Sequence, residues 1–267
     1  MNIIADLHTH TIKSFTGSST LYENLSYASK NKLNCVAVTD YGPGARGSKK
    51  EQTEYISKLP KKAYNINILK GVEANVLDLH SGKIDVEESE IDSFDWVIAS
   101  YHKISDYDDK ILNYSILTSL FERLINNPLV NTIGHMERYT CGFDIPKIIT
   151  LMKQKGKVVE IGAATFNEPE VSTSKKQILN ILDTCKKLSA PICIVSNAHY
   201  CDEVGKFEKI TNYFEENQFP ENLIINSNTK LLNSYIENFK QMRSAAIKRE
   251  RENFGVPNHL YTPTIQR

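Results

Sequence analysis

The stretch Ile3-Ile4-Ala5-Asp6-Leu7-His8-Thr9-His10 decides how this chain folds. Residues 3–7 are apolar except for Asp6, as in a strand buried on both faces, and the strand runs straight into two histidines. Comparable β-branched or apolar runs recur at intervals of roughly 30 residues, at 35–39, 66–72, 96–101, 130–134, 157–161 and 192–196. The segments between them suit helices: 20–31, opened by the capping box Thr20-Leu21-Tyr22-Glu23, then 51–64, 110–126, 146–155 and 175–188. Buried strands alternating with helices imply a parallel sheet with right-handed crossovers. Seven such units predict an α/β fold, a distorted (β/α)7 TIM-like barrel with C-terminal helices. Past residue 207 the reading is helix (207–217), a short apolar segment (223–225) and helix again from 229 to about 252. We expect one barrel over 1–240, followed by a helix end and tail over 241–267.

Composition narrows the function classes. The 267 residues are 40% hydrophobic and 24% charged, enough to build a core. Lys plus Arg and Asp plus Glu both number 32, so no global charge draws the chain to nucleic acid or an anionic membrane. No apolar run approaches the roughly 20 residues that span a bilayer, and residues 1–10 lack the layout of a signal peptide, so a cytoplasmic protein is expected. The five cysteines, Cys35, Cys141, Cys185, Cys193 and Cys201, form no C-x-x-C pair and read as thiols rather than a disulfide framework.

Chemistry-bearing residues collect where the expected strands end: His8 and His10, Asp40 and Tyr41, Glu73, His102, His135, Glu160, Asn197 and His199. Five of the seven histidines fall there, leaving His80 and His259 elsewhere. In a parallel barrel these ends form one mouth. Imidazoles converging on a carboxylate are what zinc, manganese or iron requires. Glu73 closes an apolar run, where a lone carboxylate is costly; a metal bridge, or a salt bridge to Arg46 or Arg138, would relieve that cost.

Asp6-Leu7-His8-Thr9-His10-Thr11 is similar to the D-x-H-x-H signature of the PHP family, named for polymerase-associated and histidinol-phosphatase members. Ala37-Val38-Thr39-Asp40-Tyr41-Gly42-Pro43 resembles its second motif and Gly71-Val72-Glu73-Ala74-Asn75 its third, while Tyr101-His102, Gly134-His135 and Ser196-Asn197-Ala198-His199 resemble later ones in order. The likeness runs from residue 2 to about 240 and is strongest to the short, single-domain phosphatase-like branch, which binds three metals. It implies a first metal on His8, His10, Glu73 and Asn197, where the branch has aspartate. It implies a second at His199 with Thr16 and Tyr41, where the branch has two further histidines. A third would lie on Glu73, His102 and His135. With three ligand positions altered, we expect one or two divalent ions rather than three, centred on Glu73.

The expected activity is metal-dependent hydrolysis of a small phosphorylated metabolite by a metal-activated water. Glu73, His199, Asp40, Tyr41 and Arg138 are the expected catalytic residues, Asp40 by orienting a ligand and Tyr41 as acid or hydrogen-bond donor. Arg138, Arg46 and Asn75 are expected to bind substrate, with Lys49 beside Arg46 in the glycine-rich loop. Two other readings are a metallohydrolase acting on an amide- or ester-type bond, with Cys141 and Cys201 as candidate thiolates, and a non-catalytic barrel that binds a ligand or partner. Phe15, Trp96, Tyr101, Tyr139 and Tyr200 are candidates to line the pocket. No motif reads a particular substrate or an oligomeric state.

Overall fold

The computed structural model describes residues 1–44, 52–87, 94–102, 112–169 and 172–253. All seven expected strands form, with one addition: β1 (Ala5–Thr9), β2 (Cys35–Val38), β3 (Lys62–Ala63), β4 (Ile66–Asn75), β5 (Trp96–Ser100), β6 (Thr132–Ile133), β7 (Val159–Gly162) and β8 (Ile192–Val195). The helices are α1 (Leu21–Lys30), α2 (Gln52–Ser57), α3 (Tyr114–Asn126), α4 (Ile145–Gln154), α5 (Thr173–Leu188), α6 (Glu208–Glu216) and α7 (Thr229–Asn253). Thr20 caps α1 with the expected reciprocal bonds to Glu23.

The additional strand corrects the helix expected over 51–64. Pro60 lacks the N–H that would continue a helix, so α2 stops at Ser57 and the chain turns back. Tyr64 and Asn65 both take positive φ, 49° and 61°, as a two-residue hairpin turn requires, and β3 pairs antiparallel with β4. Helix α3 likewise starts at Tyr114 rather than 110, because the Asn113 side chain accepts from the backbone N–H groups of Ser115 and Ile116.

Strands β1, β2, β4, β5 and β6 are parallel neighbours, and β7 and β8 form a second parallel pair. Val158 N–H donates to Asn131 O at 3.3 Å across the β6–β7 gap, and His10 N–H donates to Ala198 O at 2.9 Å across the β8–β1 gap. The result is a distorted (β/α)7 TIM-like barrel. Its interior holds Leu7, Ala37, Trp96, Ile98 and Val195, plugged by Leu232, Ile236 and Phe239 from α7. Each of those three plugs is worth about 1.5–3 kcal/mol of burial. Trp96, a candidate pocket wall by sequence, is instead fully buried with its ring against Phe239. Among the described residues no helix is long and apolar enough to cross a membrane.

Strand parity aims the mouth residues. Trp96 and Ile98 point into the barrel, so Ser100 and His102 continue on that face; Leu69 leads in the same way to Glu73 and Asn75. β1 needs a correction of phase, because Leu7 already faces inward. A register shift between Asp6 and Thr9 inserts one residue against β2 and turns His8 inward as well.

Candidate metal centre

Glu73 lies at the centre of the mouth, wholly buried, with an imidazole pair at each carboxylate oxygen. His8 Nε2 and His10 Nε2 stand 3.3 Å from Oε2, and His102 Nε2 and His135 Nε2 stand 3.3 Å from Oε1. Despite these distances, neither carboxylate oxygen nor His8 Nε2 has a hydrogen-bond partner among the described residues.

The partners on the far side of each ring explain why. Ser14 Oγ donates its single proton to Asp40 Oδ1 at 2.7 Å, so at 2.9 Å it must accept from His10 Nδ1–H. His10 Nε2 therefore carries a lone pair, and it faces both Glu73 Oε2 and Asn197 Oδ1, the latter at 3.2 Å. Asn75 Nδ2 donates to Asp85 Oδ2 at 2.6 Å, which leaves Asn75 Oδ1 to accept from His102 Nδ1–H at 2.9 Å. The His8 Nδ1 side is held by Glu160 at 3.1 and 3.2 Å. The lone pairs of His10 and His102 thus converge on the Glu73 carboxylate, an arrangement that a bound cation reconciles. Two donors about 2.1 Å from a shared tetrahedral ion lie roughly 3.4 Å apart, matching the 3.3 Å separations. His8, His10 and Asn197 on one side of Glu73 and His102 and His135 on the other are a donor set that fits divalent metal. His8, Glu73 and His135 alone already bring ligand atoms within 4.8 Å of one another.

The electrostatics show the same shortage of positive charge. Burial pushes the Glu73 carboxyl up, but the surrounding imidazoles, His8 foremost, outweigh it and hold it well below the usual range. Burial opposes charge on His8, yet the Glu160 and Glu73 carboxylates carry it up to about 10. Two of these candidate ligands also sit on strained backbone: His135 and Asn197 have φ of 57° and 54°, in the left-handed region that non-glycine residues seldom occupy. Gly134 makes room for the first of these turns, since a Cβ there would collide with Ser100 Oγ.

The remaining expected residues take distinct places. Asp40 accepts from Thr11 N–H, Thr11 Oγ1 and Ser14 Oγ at 2.7 Å and from Tyr55 at 3.0 Å, so it holds His10 through Ser14. Asn75, expected at the substrate, has its amide committed to His102 and Asp85. Burial and the Glu73 charge push the Tyr41 phenol up to about 12, which keeps it protonated at neutral pH. His199 stacks on His10 at 4.5 Å and bonds Thr16 Oγ1 through Nδ1 at 2.9 Å; burial and the neighbouring His10 push it down to about 4. Arg138 is half-exposed, with Nε 3.8 Å from Glu137 Oε1 rather than paired to Glu73. Arg46, Lys49, His259 and the tail from 255 lie outside the described residues. The Cys141 thiol packs against the core, and burial raises its pKa, which disfavours a thiolate. The sequence reading did not assign the supporting residues Ser14, Asp85 and Glu160; only Glu160, at a strand end, carried a positional signal.

The family model of the PHP domain matches residues 6–184. A probable phosphatase of Acetivibrio thermocellus is 31% identical over 242 residues, covering 90% of this chain and 98% of the relative. A histidinol phosphate phosphatase from Lactococcus lactis, solved with zinc, L-histidinol and phosphate, superposes with a TM-score of 0.55 at 17% identity over 81% of this chain and 94% of its own. A chain of an archaeal ribonuclease P solved with mature tRNA superposes at 0.53 with 11% identity, over 98% of both chains. At these identities the two structures speak to the fold.

Proposed function

This chain belongs to the PHP domain family, and within it we propose a cytoplasmic, metal-dependent phosphoesterase that hydrolyses a small phosphorylated molecule. One observation carries the reading: four imidazole Nε2 atoms stand 3.3 Å from the oxygens of a wholly buried Glu73 carboxylate. His8, His10, Glu73 and Asn197 would hold one divalent ion, zinc, manganese or iron, and Glu73, His102 and His135 a second. Bound there, such ions supply Lewis-acid charge for phosphoryl oxygens and make hydroxide available near neutral pH.

The chain's own residues do the rest. Glu160, Ser14 with Asp40, and Asn75 with Asp85 hold the His8, His10 and His102 rings so that each Nε2 faces the centre. Tyr41, kept as a phenol, donates a hydrogen bond to the substrate. Arg138 offers a guanidinium to the phosphate oxygens. The probable-phosphatase relative supports a phosphate substrate. All five cysteines are free, in keeping with a reducing compartment.

The test is elemental analysis of protein purified without chelator, together with hydrolysis of 4-nitrophenyl phosphate in zinc or manganese. We expect bound metal and turnover in the native protein and loss of both in Glu73→Ala. Metal without turnover on any phosphate ester would favour another hydrolytic bond.

A further inference from the structure

The mouth has a second cluster beside the Glu73 centre, built on different chemistry. Thr16 Oγ1 lies 2.9 Å from His199 Nδ1 and 3.4 Å from Tyr41 Oη. A hydroxyl, a phenol and one imidazole are a poor ligand set, for no carboxylate joins them. Unlike the Glu73 donors, these three satisfy one another. With His199 Nδ1–H donating to Thr16 Oγ1 and Thr16 Oγ1–H donating to Tyr41, the phenol proton is left to point outward.

The loops that carry this cluster are fastened to each other. Ile12 N–H donates to Ser19 O at 2.8 Å, Ser18 N–H to His199 O at 2.9 Å, and Cys201 N–H to Ser19 Oγ at 2.8 Å. On them stand Phe15 and Tyr200, 67% and 54% exposed, each next in sequence to a member of the cluster. Together with Ile12 they make three of the seven exposed large hydrophobic side chains among the described residues. Exposed aromatics scattered singly need no explanation, but these two stand on loops that are hydrogen-bonded to each other at the mouth. Tyr22 and Tyr64, by contrast, are exposed and pack against each other.

We infer that Thr16, Tyr41 and His199 form a metal-free subsite for the leaving group of the phosphate ester, walled by Phe15 and Tyr200 and suited to a planar, aromatic group. This rests on the phosphoesterase reading above. Tyr41 reaches the substrate from the hydrogen-bonded cluster, and the two exposed rings offer faces against which a flat group packs.

Calorimetric titration of the zinc-loaded protein with phenylphosphonate, methylphosphonate and inorganic phosphate tests it without turnover. The native protein should prefer phenylphosphonate to methylphosphonate by about tenfold, the gain expected of ring packing, and the preference should fall below about twofold in Phe15→Ser/Tyr200→Ser. Thr16→Val and Tyr41→Phe should keep the native metal content. Equal affinities in the native protein, a preference that survives the double substitution, or an ion lost from either single variant would overturn the subsite. If neither phosphonate nor phosphate binds, the phosphoesterase reading itself fails and the subsite falls with it.

Discussion

The two ends of this barrel both bury polar groups, and they do so in opposite ways. At the floor, Asn226 is wholly buried: its amide donates to Ala5 O and Ile194 O at 2.7 Å and accepts from Ile194 N–H at 3.1 Å, tying β1 to β8. Asn131 accepts there from Val97 N–H at 2.6 Å and from Arg243 at 3.1 Å, and Lys157 donates to Val130 O and Asn127 O. Donors meet acceptors, so these groups close the barrel. At the mouth, the lone pairs of His10, His102 and Glu73 meet one another. The same cost of burying polar atoms is offset within the protein at one end and calls for a cation at the other.

Substitutions at either end should break this contrast in different observables. Glu73→Gln should empty the mouth of metal and lower phosphatase turnover by roughly a thousandfold or more, with little change in far-ultraviolet circular dichroism. Asn226→Ala should leave metal content intact but cost about 3 kcal/mol, read as a lower denaturant midpoint, because it strands buried backbone groups of Ala5 and Ile194. Glu160→Gln or Ser14→Ala, which loosen a ligand without removing one, should weaken metal affinity by about 10–100-fold in a chelator competition.

A smaller effect sharpens the comparison at the floor. Burial, with Arg243 nearby, pushes Lys157 down to about 8 from a usual value of 10.5. Between those values the unfolded chain binds more protons than the folded one, so this residue makes stability rise with pH over that window. By pH 10 the gain is on the order of 2 kcal/mol, and Lys157→Met should remove that slope from urea melts collected between pH 7.5 and 10.

Most of the architecture was legible because buried parallel strands write themselves as apolar runs, and the residue that ends each run falls at the mouth by geometry alone. His8, His10, Glu73, His102 and His135 were readable for that reason. The 51–64 segment misled because its helix-forming composition outweighed Pro60, and because Tyr64-Asn65 is a weak sequence signal for a hairpin turn. Trp96 misled because a strand position tells which face a side chain takes, not how deep along the barrel it sits. Ser14 and Asp85 were invisible for a further reason. They act through loops, Ser14 turning back on His10 four residues earlier and Asp85 reaching His102 by way of Asn75. No periodicity records such a partnership.

The most direct test of the central claim is the number of ions per chain, measured by elemental analysis after equilibration with zinc or manganese and removal of loosely bound metal. Two ions in the native protein, both lost in Glu73→Gln, are what a carboxylate shared between two pairs of imidazoles predicts. A count of zero, or three ions with one retained in Glu73→Gln, would contradict it.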